Sequence, residues 1–150
     1  MKMAIGSDST NSLTEHVTAY LEEKGIELVR FGSLAGEEAD YVDAACGVAE
    51  AVAAGKCEQG LIFCNTGTGV TIVANKVPGV RAALCPDSFS ASIAKLANNA
   101  NVIVLGIRLT GEMLAREIVD TWLTTEPSTE ERRMNFHRKT DELDQKYRKD

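Results

Sequence analysis

The chain contains no run of roughly 18 consecutive apolar residues, so no membrane-spanning helix is read from it. The opening MKMAIGSDS turns polar too soon for a signal peptide, and the cytoplasm is the expected compartment. No CxxC pair occurs among Cys46, Cys57, Cys64 and Cys85; reduced thiols are expected rather than a disulfide framework, with at most one of them chemically employed. Histidine is scarce. His16 and His137 lie far apart, without acid or thiol ligands at compact spacing, and no metal site is expected. The phosphate loop GxxxxGK[ST] is absent, and Gly67-Thr68-Gly69 lacks the third glycine of a dinucleotide fingerprint, so no nucleotide is implied. Low-complexity tracts and close internal repeats are missing too. Sixteen Lys+Arg against twenty-two Asp+Glu leave a net charge of -6, which disfavours a nucleic-acid partner while leaving room for a small basic pocket.

What is present describes a folded protein. With 150 residues, 44% hydrophobic and 25% charged, the chain has the size and composition of one globular domain, residues 1–150. Met3–Ile5 form a short apolar run; Leu13, Val17 and Leu21 then recur every four residues, behind a capping-box spacing at Ser12 and Glu15 and before a stop at Gly25. Ile26–Val29 read as a second strand and the alanine-rich stretch after Tyr41 as a second helix. Leu61–Phe63 give a third strand, and a helix begins by Val70. Arg81–Cys85 and Val102–Leu105 are strands four and five, with a helix from Ser88 between them and another carrying Leu114, Ile118 and Trp122 behind. Strands alternating with helices predict a parallel sheet covered on both faces, a three-layer αβα Rossmann-like fold of the α/β class with five strands. Residues 129–148 form a helical tail, within a charged segment running from Glu130 to Asp150. Its sparse apolar face, Met134, Phe136, Leu143 and Tyr147, could lie on its own core or on a neighbouring subunit.

Cys64 stands where a buried strand gives way to Asn65-Thr66-Gly67-Thr68-Gly69. Ligands of open parallel sheets collect at such carboxyl ends. Glycines there permit close backbone approach, and loop amides together with the next helix's N-terminus can stabilise an anion. Either Cys64 is a small core residue beside a turn, or it is a thiol beside an oxyanion site. Asp8 follows strand one directly and can enter the same crevice, as an Asx-turn or capping residue or as a group that orients hydroxyls.

Several ordered segments resemble one family: MKMAIGSD, the DYVD of Asp40–Asp43, CNTGTG at Cys64–Gly69, ANKVPGVRAALC at Ala74–Cys85, NANVIVLG at Asn99–Gly106, and the TGEMLAREIVDTWL behind it. Across roughly Met1 to Thr125 the chain is similar to the ribose-5-phosphate isomerase B and galactose-6-phosphate isomerase family. The resemblance implies cofactor-independent exchange of an aldose phosphate and a ketose phosphate through an enediolate. It also implies a homodimer or homotetramer with active sites near the subunit boundary.

By that resemblance Cys64 is the carbon-acid base, with Thr66, Asp8 and Asn98 beside it: Thr66 as a hydroxyl in the site, Asp8 as a substrate-hydroxyl contact, Asn98 as a donor to the enediolate. Asn65, Gly67, Thr68, Gly69 and Val70 correspond to the anion-stabilising loop, with Ser9 and Tyr41 beside the substrate. Arg108 is the first choice for phosphate, then Arg133 and Arg132. The chain departs from the family at three histidines. Asp8-Ser9-Thr10-Asn11 replaces Asp-His-Ala-Gly, Ala97-Asn98-Asn99 replaces the His-Asn-Asp whose histidine opens the sugar ring, and Pro86 replaces the histidine between Cys85 and Asp87. Two readings follow: an isomerase of ribose 5-phosphate or of a shorter, open-chain sugar phosphate, or a sugar-phosphate binder that has lost catalysis.

Overall fold

The structure, a computed structural model, describes residues 1–148; Lys149 and Asp150, part of the expected tail segment, lie outside the described residues. Five parallel strands, β1 (Lys2–Ser7), β2 (Glu27–Gly32), β3 (Gln59–Cys64), β4 (Ala82–Leu84) and β5 (Val102–Gly106), form one sheet in the order β2-β1-β3-β5-β4. Helices α1 (Ser12–Glu23), α2 (Tyr41–Ala53), α3 (Thr68–Ala74), α4 (Ser88–Leu96) and α5 (Glu112–Thr124) connect or follow them, and α6 (Glu131–Lys146) is the tail. The expected three-layer αβα fold is what the chain adopts. No helix among the described residues is long and apolar enough to cross a membrane.

Strand periodicity divides the core into two layers. Successive strand residues face opposite sides, so Met3, Ile5, Leu61, Phe63, Ile103 and Leu105 pack on one face with Leu13, Val17 and Leu21 of α1 and Ile118 and Trp122 of α5. The intervening Ala4, Ile62, Val102 and Val104 pack on the other with Ala45, Val48 and Val52 of α2 and Val70 and Ala74 of α3. The second layer is thin because its residues are small. A Cβ on Gly60 would come within 2.6 Å of Val48 Cγ1, so a glycine strand position and an alanine-rich helix let α2 sit close to the sheet. Burying these apolar side chains, at ~1.5–3 kcal/mol for each large one, is what offsets the chain's ordering cost.

Local chemistry moves three expected boundaries. The capping box at α1 uses Asn11 and Thr14 rather than Ser12 and Glu15: Thr14 N donates to Asn11 Oδ1 at 3.1 Å, and Asn11 N donates to Thr14 Oγ1 at 3.0 Å. Thr14 is buried, which fixes its hydroxyl for the exchange, whereas Ser12 is exposed. Helix α3 begins at Thr68, two residues before Val70, because Gly67 with φ +94° turns the chain into it. Strand β2 runs on through Arg30 and Phe31 to Gly32, paired with β1 along its whole length.

Helix α6 lies against its own chain at the amino edge of the sheet, held by polar contacts. Gly79 N donates to Asp144 Oδ2 at 2.9 Å, Arg81 Nη1 stands 3.4 Å from Asp141 Oδ1, and His137 Nε2 is 2.8 Å from the Ala97 carbonyl. Met134, Phe136, Leu143 and Tyr147 stay exposed. Phe136 and Leu143 nevertheless line an open cavity shared with Val80, Ala82 and Ala83 of the same chain.

Candidate active site

The sheet order creates the site. From β1 the chain moves outward through α1 to β2, then returns across β1 through α2 to β3; α1 and α3 consequently leave β1 and β3 on opposite faces. The loops after these two strands part at their carboxyl ends and leave a crevice. The β1–β3 register, Gly6 beside Ile62, brings Asp8 and Ser9 after β1 to the same edge as Cys64 to Gly69 after β3.

Cys64 ends β3 opposite Gly106 of β5 and is half-buried, unlike the fully buried Phe63 before it. Its loop is tied to the end of β5, with Ile107 N donating to the Cys64 carbonyl at 2.7 Å and Arg108 N to the Asn65 carbonyl at 3.1 Å. Gly106 makes that approach possible, since a Cβ there would meet Thr66 O at 2.7 Å. Gly67 needs its left-handed φ as well, and a Cβ on it would strike Leu84 Cδ1 at 2.4 Å. Thr68 N reaches Thr66 Oγ1 at 3.4 Å. Helix α3 has no side-chain cap, and the first-turn amides of Gly69 and Val70 have no intrahelical acceptor. These are the elements of an anion site beside a thiol.

Tyr41, at the start of α2, lays its ring over Gly69, where a Cβ would sit 2.9 Å from Tyr41 Cε2. Ser9 is half-buried; its N–H donates to Ser7 Oγ at 3.1 Å and its hydroxyl accepts from Asn11 Nδ2 at 3.3 Å. Asp8 is exposed and is not the cap of α1, a place taken by Asn11. Arg108 is exposed at the same edge, directly behind the strand end that holds the Cys64 loop. The other cysteines stand apart: all four are free, and burial pushes the Cys85 thiol up to about 12.

Asn98, Arg132 and Arg133 are not brought to this crevice within one chain. Asn98 lies in the turn between α4 and β5, at the amino edge, ahead of Val102, which pairs with Gly60. Cys64 is four residues further along β3, so the strands alone separate the two edges by about 13 Å. Arg132 and Arg133 open α6 on the Asn98 side, Arg132 stacked 5.4 Å from the Phe136 ring centroid and Arg133 Nε 3.9 Å from Glu130. Asn98 and Arg108 thus mark opposite edges of one sheet. His137 and Arg81 also contact the turn around Asn98, His137 from the docked tail and Arg81 from the start of the β4 segment, and neither was among the expected site residues. A strand-to-helix count would have placed Asn98 at the amino edge; no local signal announces the tail contacts.

Comparison with known proteins agrees with the fold and motifs. The family model described as Ribose/Galactose Isomerase matches residues 3–139. A D-erythrulose-4-phosphate isomerase of Pectobacterium atrosepticum is 44% identical over 128 residues, 84% of this chain and 84% of its own length. Ribose-5-phosphate isomerase B of Escherichia coli is 40% identical over 123 residues, 81% of this chain and 83% of its own. The solved ribose-5-phosphate isomerase B of Clostridium thermocellum superposes with a TM-score of 0.91 at 42% identity, covering 99% of this chain and all of that one (100%). With the parallel sheet, the thiol at the end of β3 and the glycine loop behind it, these matches show that the chain belongs to the ribose/galactose isomerase family.

Proposed function

We propose that this protein interconverts an aldose phosphate and a ketose phosphate through an enediolate, with Cys64 moving the carbon-bound proton. The observation that carries the reading is the half-exposed thiol at the end of a central strand, beside a glycine turn whose amides are free. In the first half-reaction the Cys64 thiolate takes the proton from the carbon next to the carbonyl, and the electron pair of that C–H bond moves into the enediolate. Loop amides of Gly69 and Val70 stabilise the oxygen on which charge develops. The thiol then returns the proton to the neighbouring carbon, while the hydroxyl proton passes between the two oxygens, with Thr66 and Asp8 as the polar groups at hand. Asn98 donates to the enediolate from a second copy, since it stands at the opposite edge of its own sheet. Arg108, with Arg133 and Arg132 of the neighbouring tail, holds the phosphate.

The substrate that fits best is a tetrose 4-phosphate. At the position where the family carries its ring-opening histidine, this chain has Ala97, which cannot exchange a proton. A four-carbon sugar with phosphate on its terminal oxygen cannot close a furanose ring and requires no such step. The relative at 44% identity carries a name of that substrate class.

A matched kinetic panel of four-, five- and six-carbon aldose and ketose phosphates in deuterated water tests both levels. Isomerisation with deuterium incorporated next to the carbonyl, and the highest kcat/KM on the tetrose 4-phosphate, is the expected result. Saturable binding without exchange on any sugar would instead identify a binder, the reading that the lost histidines favour. Efficient turnover of ribose 5-phosphate, with no selective gain on cyclic sugars from Ala97→His, would overturn the substrate assignment alone.

A further inference from the structure

The end of helix α4 is held in an unusual way. The last carbonyls of a helix lack intrahelical donors and need partners from elsewhere. Here the Leu96 carbonyl and two carbonyls of the turn behind it take partners from three separate segments: Ser128 N donates to the Leu96 carbonyl at 3.1 Å, His137 Nε2 lies 2.8 Å from the Ala97 carbonyl, and Arg81 Nε donates to the Asn99 carbonyl at 2.5 Å. A carbonyl can only accept, so the His137 proton resides on Nε2. Arg81 is in turn 3.4 Å from Asp141, one helical turn beyond His137 on α6. Asn99 has φ +54°, a left-handed conformation that a residue with a side chain adopts only when its surroundings hold it there. Between the two clamped carbonyls stands Asn98, exposed. The cavity under this turn, about 550 Å³, is lined by Ala97, Asn98, Arg81 and His137 among others.

From this juxtaposition we infer that His137 and Arg81 are positioning residues, which grip the turn on either side of Asn98 and aim its amide at the substrate. The inference rests on the proposed isomerase reading for what Asn98 contacts, but the grip itself is a property of this chain. The tail thereby has a role beyond covering the amino edge: it sets the conformation of the turn that this edge offers to a neighbouring crevice. Because the imidazole acts by donating from Nε2, a glutamine, whose amide nitrogen sits at a similar reach, can replace it.

The test compares His137→Phe and His137→Gln in the full chain, alone and with Asn98→Ala. His137→Phe should lower kcat on the tetrose 4-phosphate about tenfold with KM within about twofold, and His137→Gln should restore kcat to within about twofold of the parent. In the Asn98→Ala background His137→Phe should cost nothing further. Asp144→Ala, which loosens α6 only at Gly79, should leave kcat unchanged. An equal loss in both backgrounds, a glutamine no better than phenylalanine, or the same loss from Asp144→Ala would overturn the inference. Hydrogen exchange of the Asn99 and Ala100 amides decides the grip independently of turnover: it should quicken at least about tenfold in His137→Phe and stay slow in His137→Gln. Unchanged exchange in both would refute the grip, whereas absence of turnover in the parent protein, with the exchange pattern as expected, would refute only the isomerase reading.

Discussion

At the scale of single residues, the proposed chemistry rests on one thiol set apart from three others. Cys85 is buried, and its proton is held tightly by lack of solvation; Cys57 is buried with its thiol pushed up for the same reason. Cys46 is held up by the hydrogen bond it gives to Glu50 and has no anion-binding loop beside it. Only Cys64 combines partial exposure with the glycine turn. Cys64→Ala should therefore lower kcat by at least about a thousandfold, in the range expected for removal of a base from its proton. Its melting temperature should stay close to the parent's, since a half-exposed side chain leaves little cavity behind. Cys64→Ser should be nearly as poor, because a hydroxyl is far harder to ionise than a thiol. Steady-state kinetics and thermal melts check all three statements; a Cys64→Ala protein with parental turnover would remove the thiol from the mechanism.

At the scale of elements, caps and strand ends explain both the acid response and what could be read from sequence. Asp87 caps α4, accepting from Ser90 N at 2.7 Å, and that backbone hydrogen bond holds its carboxyl below the usual range. Asp120 on α5 is pushed upward by burial, but hydrogen bonds from Tyr20 and Lys24 of the α1 segment outweigh this and bring it down. A carboxyl whose pKa is lower folded than unfolded contributes stability above its unfolded value, near 3.9, and loses it as pH falls through the folded one. The melting temperature should drop as pH falls below about 4, and Asp87→Asn, which keeps the capping oxygen without the titration, should flatten part of that drop. A parallel displacement of the whole curve, with its slope unchanged, would show that Asp87 does not contribute to the acid limb.

The five strands and the helices on both faces were legible because uninterrupted apolar runs such as Met3-Ala4-Ile5 and Leu61-Ile62-Phe63, set between helical stretches, encode two-sided burial directly. The Cys64 turn was legible because its glycines are chemically local. The Asn11 cap was not, since the choice between Asn11 and Ser12 depends on Thr14 being buried by tertiary packing. Nor was the grip on Asn98, which joins residues 97 and 137 through forty positions of intervening chain.

At the scale of the whole molecule, the decisive fact is that Cys64 and Asn98 occupy opposite edges of one sheet. If both act on one substrate, each active site draws on two copies of the chain. The surface is suited to such an assembly: Tyr41, Phe89, Leu109 and Met113 are exposed on loops and first turns at the carboxyl edge, and Phe136 and Leu143 are exposed on α6. Apolar groups at both edges would be covered when one copy's amino edge meets another's carboxyl edge, and a two-fold axis makes that contact twice. The mass in solution should accordingly be that of a dimer or tetramer over a concentration series, and a strictly monomeric mass would defeat shared sites. A sharper consequence concerns mixed assemblies. The Cys64→Ala chain should be nearly inactive alone, and the Asn98→Ala chain strongly impaired but still measurable. A mixed dimer, however, unites the intact Cys64 of one copy with the intact Asn98 of the other in one of its two sites. Unfolding the two variants together and refolding them at equal amounts should recover about a quarter of parental activity, the share of intact sites after random pairing. Recovery no greater than the sum of the separate variants would mean that Cys64 and Asn98 do not meet across a subunit boundary.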